Sequence, residues 1–170
     1  MKTLVNYINE GLISEIILKI LDASLSWIGA SAKFIGDNLV SATGELWKSG
    51  KGMTKEFWDD FRERSHYKGD GMPRNERELT KYMAEMYKYN DLNEIKEFLD
   101  KYKEQLPSDF TVNFLVGKAK EVLLNDKTPD SEKKEALKIL EEAKKKYPKM
   151  QENIDKILKE YENKNNKTNK

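Results

Sequence analysis

The residues best equipped for chemistry lie close together. Phe57 to Arg77, FWDDFRERSHYKGDGMPRNER, holds every arginine of the chain, Arg62, Arg64, Arg74 and Arg77, and its only histidine, His66. Glu63-Arg-Ser-His66 has the Glu-x-x-His spacing of di-iron helical bundles, but that chemistry needs a second such motif, and one histidine cannot supply it. Asp59, Glu63 and His66 share one face of a helix, which reads as a solvated charged face. Asp59 and Asp60 are adjacent, so both cannot face one substrate as a glycosidase pair. GKGMTK, Gly50 to Lys55, lacks the Gly-x-x-x-x-Gly-Lys-Ser/Thr spacing of a phosphate loop, and no strand precedes it. Asp70 offers a single ligand where a calcium loop needs several. The chain has no cysteine, which excludes disulfides, thiolate metal sites and cysteine nucleophiles. No catalytic residue, cofactor, metal or small-molecule substrate is therefore expected.

The same stretch suits protein contact better. Trp58 and the four arginines are types enriched at interface hot spots. Trp58, Arg62, Arg64, His66, Arg74 and Arg77 are the candidate contact residues of this connector. Asp59, Asp60, Glu63, Asp70, Glu76 and Glu78 offset the arginines, and the net charge of the chain is +1, so nucleic acid is not an expected partner.

The elements that must carry these residues are helical: 36% of the chain is charged, only four prolines occur, and Lys, Glu and Leu are abundant. An apolar arm precedes the connector. Leu18, Leu25, Ala32, Leu39 and Leu46 recur every seven residues, with Leu21, Ile28, Ile35 and Ala42 three residues after the first four. That alternation predicts one long helix, or two with a break near a glycine. Gly29 and Gly36 occupy a flanking column where a coiled coil carries charge. Each glycine costs a helix about 1 kcal/mol, which close approach of another backbone would offset. Trp27 and Phe34 widen the apolar arc. Leu18, Leu21, Leu25, Trp27, Ile28, Gly29, Phe34, Ile35, Gly36 and Leu39 are the candidate contacts of the arm. Its neighbour is this chain's own helices, another copy, another protein or lipid. The acidic residues Asp22 and Asp37 offset Lys19 and Lys33, so attraction to anionic lipid is weak. Glu10, Glu15 and Lys19 interrupt any secretory core, so no leader is expected.

Beyond residue 75 the pattern is regular. Asn75 with Glu78, and Asp91, mark helix starts. Pro107, Pro129 and Pro148 punctuate the remainder of the chain. Five helices are predicted, with apolar faces formed by Leu79, Tyr82, Met83 and Met86; Ile95, Phe98 and Leu99; Val112, Leu115, Val116 and Ala119; Ala136, Ile139, Leu140 and Ala143; and Ile154, Ile157 and Leu158. At an offset of 41 residues Phe98 matches Ile139, Leu99 matches Leu140 and Pro107 matches Pro148. EALKILEEAKKKYP, Glu135 to Pro148, resembles the second helix of a tetratricopeptide repeat, with Ala136, Leu140, Ala143 and Pro148 at that family's spacing. The first helices lack its Trp-x-x-Leu-Gly. The resemblance implies a peptide-binding or scaffolding surface.

The expected architecture is all-α. A helical arm covers residues 1–50, a connector 51–74, a tetratricopeptide-like domain of two stacked hairpins with a closing helix 75–162, and a disordered tail 163–170. The expected function is a non-enzymatic adaptor that binds a protein partner or a second copy. It would be cytoplasmic, with a membrane-surface anchor or pore-forming arm as the alternative.

Overall fold

The computed structural model describes residues 32–49, 52–66 and 72–168. Among them lie seven α-helices and no strand: α1 (Ala32–Ser49), α2 (Lys55–Ser65), α3 (Glu76–Tyr89), α4 (Leu92–Lys101), α5 (Ser108–Leu124), α6 (Asp130–Lys146) and α7 (Gln151–Thr168), with a 3-10 turn, Pro148–Met150, between the last two. The chain is all-α over this span. Among the described residues no helix is long and apolar enough to cross a membrane.

Helix starts follow the sequence signals. The side chains of Thr54, Asn75 and Asp91 accept from the N–H groups of Phe57, Glu78 and Glu94, and Glu94 returns a bond to Asp91 as a full capping box. α5 and α6 begin instead just after Pro107 and Pro129, with no side-chain cap. Asp109, in the first turn of α5, pairs with Lys149 at 2.6 Å.

α5 is the hub, in contact with α1, α4, α6 and α7. Its apolar residues point to two cores. Phe110 and Phe114 join Leu39, Ala42, Leu46, Phe57, Phe61, Tyr82 and Phe98. Val112, Val116, Ala119, Val122 and Leu123 join Ile139, Leu140, Ile154 and Ile157. From Val116 to Leu124 the helix is buried on every side, which leaves its charged residues no solvent face, so Lys118, Lys120 and Glu121 are buried as well.

Two differences from the expected stack have physical causes. α5 and α6 pack together and α7 closes on both, but α3 packs chiefly on α2 and α1 instead of forming a hairpin with α4. The buried residues of α3, Leu79, Thr80, Tyr82, Met83, Ala84, Met86 and Tyr87, ring most of the helix, so one neighbour cannot cover them. At the other end α7 runs on to Thr168, through most of the expected tail. Lys164 donates to the carbonyl of Leu124, the last residue of α5, and pairs with Asp126 at 2.8 Å, which ties the extra turn down.

α1 seats on α5 at Gly117. A Cβ there would lie 2.5 Å from Tyr87 Oη and 3.3 Å from Asn38 Cβ, so only glycine admits both neighbours. Asn38 is 3% exposed, and its Nδ2 donates to Asn113 Oδ1 on α5 and Asn153 Oδ1 on α7, each at 3.2 Å.

Candidate interaction site

The connector helix α2 ends at the feature most suited to contact. His66 follows α2 in the left-handed conformation, φ 55° and ψ 25°, and among the described residues no other non-glycine residue has positive φ. Its N–H donates to Glu63 O at 3.2 Å, closing the helix. The turn carries the imidazole onto Tyr89, the last residue of α3, with ring centroids 4.1 Å apart and planes 23° apart. Tyr89 is 45% exposed, and among the described residues Met72, at 38%, is the other exposed large apolar side chain. Lys88 Nζ lies 5.2 Å from the same ring.

One side chain joins the two helix ends that carry this pair. Asn90 is buried, and its Nδ2 donates to Arg64 O at 2.8 Å and to Met86 O at 2.9 Å. It therefore holds the ends of α2 and α3 at a set separation. Arg64 donates from Nε to Asp60 Oδ1 at 2.8 Å, and its guanidinium lies 5.5 Å from the Phe98 ring centroid. Asp60 also accepts from Tyr102 Oη at 2.8 Å and Lys101 Nζ at 3.2 Å. Burial alone would raise the Asp60 pKa, but these three donors outweigh it and hold the carboxyl below its ordinary value.

On the far side of Tyr89 a shallow groove of about 260 Å³ runs between the ends of α3 and α5 and the start of α6, lined by Tyr87, Tyr89, Lys118, Glu121, Asn125 and Glu132. Lys118 and Glu121 form its floor, Nζ to Oε2 at 2.6 Å, with side chains 5% and 4% exposed. Lys118 also donates to Tyr87 O at 2.8 Å. Burial pushes the Glu121 carboxyl up, and Lys118 partly offsets the rise. Tyr87 donates from Oη to Phe114 O at 2.5 Å, and burial together with the Glu121 charge raises its hydroxyl well above the ordinary value.

The connector residues singled out from the sequence divide. His66 is exposed, and Arg62 and Arg64 are half-buried beside it on α2. Trp58 belongs to the core instead: it is 5% exposed and meets Phe57 and Phe61 edge to face at 5.0 and 5.8 Å. Arg74 and Arg77 are both exposed at the start of α3, the opposite end of that helix from Tyr89. Of the arm, Leu39 is fully buried in this chain's own core, with Ala42 and Leu46 beside it. Leu18, Leu21, Leu25, Trp27, Ile28 and Gly29 lie outside the described residues, as do the side chains of Phe34 and Ile35 and the burial of Gly36. Sequence reasoning passed over Tyr89, Asn90 and the Lys118–Glu121 pair.

No protein-family model, no curated protein and no solved structure matches this chain, so the resemblance to tetratricopeptide repeats rests on its residues alone.

Proposed function

We propose that this chain is a non-enzymatic interaction or adaptor protein whose contact face is the joined ends of α2 and α3, centred on Tyr89 and His66. One observation carries the reading: Tyr89 stays 45% exposed while its ring is already fixed against His66 at 4.1 Å. An exposed aromatic that is rigid before binding loses little entropy when covered, which is the economy that makes tyrosine an interface anchor. Arg62 and Arg64 extend the same face with residue types that bind carboxylates and backbone carbonyls. The occupant is a protein surface, either a different partner or a second copy. Burial of Leu39, Ala42 and Leu46 within the chain favours this face over the arm as the first place of contact.

The test is a photo-crosslinking amino acid placed at Lys88, beside the ring, in cells that normally make the protein. A discrete adduct that disappears when Tyr89→Ala is added supports the reading. The adduct mass separates self-association from a second protein. An adduct indifferent to Tyr89→Ala moves the contact elsewhere.

A further inference from the structure

We infer that Lys118 is a positioning residue for the Tyr89–His66 pair: its buried ammonium, steadied by Glu121, grips the Tyr87 carbonyl and fixes the last turn of α3. The inference rests on reading that pair as the contact face. A helix leaves its last carbonyls without intrahelical partners and its C-terminus partly negative. In α3, Met86 O accepts from Asn90 N at 3.1 Å and from Asn90 Nδ2 at 2.9 Å. Tyr87 O is the next carbonyl, and Lys118 Nζ donates to it at 2.8 Å. The Tyr87 ring is held as firmly, stacked on Phe114 at 4.8 Å with its hydroxyl on Phe114 O. Tyr87 is thus anchored at backbone and ring two residues before Tyr89, whose ring stays at the surface.

Packing does not explain the charges. Apolar residues of similar size commonly fill such a space at equal or greater stability, because the cost of taking two ions out of water offsets their attraction. What an apolar pair cannot do is donate to a carbonyl. Glu121 neutralises Lys118 at 2.6 Å and keeps the ammonium beneath the turn. Glu132, reaching from α6, raises the Glu121 pKa further, while its own Oε1 accepts from Leu92 N at 3.3 Å. The turn between α3 and α4 is therefore braced from α5 and α6 together.

The experiment reads the His66 ring protons by NMR in the full chain, where the Tyr89 ring current displaces them from their free positions. In Lys118→Met these resonances move to where Tyr89→Ala puts them, and the Ile139 and Ile157 methyls keep their native shifts. Lys118→Arg, which keeps a cation, retains the displacement. His66 resonances unmoved in Lys118→Met overturn the inference. Should that variant not fold, Glu121→Gln keeps the volume and is expected to move the same resonances the same way; unmoved resonances there overturn it equally. The readout needs no partner, so it stands or falls apart from the crosslinking result at Lys88.

Discussion

Asn90 donates to the Arg64 carbonyl at 2.8 Å, joining the cap of α3 to the last turn of α2 across 26 residues of sequence. The same amide nitrogen serves Met86 O at 2.9 Å. Asn90→Ala leaves both carbonyls short of a buried donor and should cost about 1–3 kcal/mol in urea unfolding. Asn90→Asp should cost at least as much, because an ionised carboxylate has no proton to give. An Asn90→Asp variant as stable as the parent would show that the bridge contributes nothing.

Gly117→Ala should go against helix propensity. In an ordinary helix interior the change stabilises by about 1 kcal/mol. Here the added methyl meets Tyr87 Oη at 2.5 Å and must push the ring off Phe114 O. The net effect should be a loss of about 1–3 kcal/mol. Adding Tyr87→Phe removes the clashing oxygen, so the double variant should be more stable than the sum of the two changes. Simple additivity in that cycle would remove the contact from the account.

Asp60 and Glu121 should drive stability in opposite directions with pH. Asp60 has its folded pKa below the ordinary 3.8, so its contribution is present above 3.8 and lost as pH falls through the folded value. Asp60→Asn should flatten that acid loss. Glu121 has its folded pKa above 4.5, so its contribution is full below 4.5 and fades as pH rises through the folded value. Relative to Glu121→Gln, the parent should therefore lose stability as pH climbs from 4.5. Urea unfolding of the three proteins from about pH 3 to about pH 8 checks both signs.

Leu46 lies at the end of the arm's heptad column and is fully buried against this chain's own helices. Leu46→Ala should cost about 2–5 kcal/mol. Lys55→Ala removes an exposed pair with Asp59 at 2.8 Å and should change stability by less than about 1 kcal/mol. A near-neutral Leu46→Ala would mean that the end of α1 does not belong to the core.

Much of the helix order was legible, because its punctuation is local. Asn75, Asp91, Pro107, Pro129 and Pro148 each act within a turn of their own position, and the boundaries fall within a residue or two of them. Features decided by long-range packing were not legible. Trp58 reads as an anchor by type, yet the ring cluster of Phe57, Phe61 and Phe98 draws it inside. Among the described residues the close approach is at Gly117 on α5, which no local pattern announces; Gly29 and the surroundings of Gly36 lie outside them. One signal for the buried charges was present: from Phe110 to Leu124 the apolar residues leave no polar face, so Lys118 and Glu121 had to be enclosed. The partners of Asn38 lie 75 and 115 residues away, and no local pattern announces them.

The contact face itself is tested most directly by crosslinking yield at two surface positions in the same cells, Lys88 beside Tyr89 and Lys138 on the exposed side of α6. The account predicts a discrete protein adduct from position 88, absent from position 138 and lost with Tyr89→Ala. An adduct at position 138 with none at 88, or one at 88 that survives Tyr89→Ala, would contradict it.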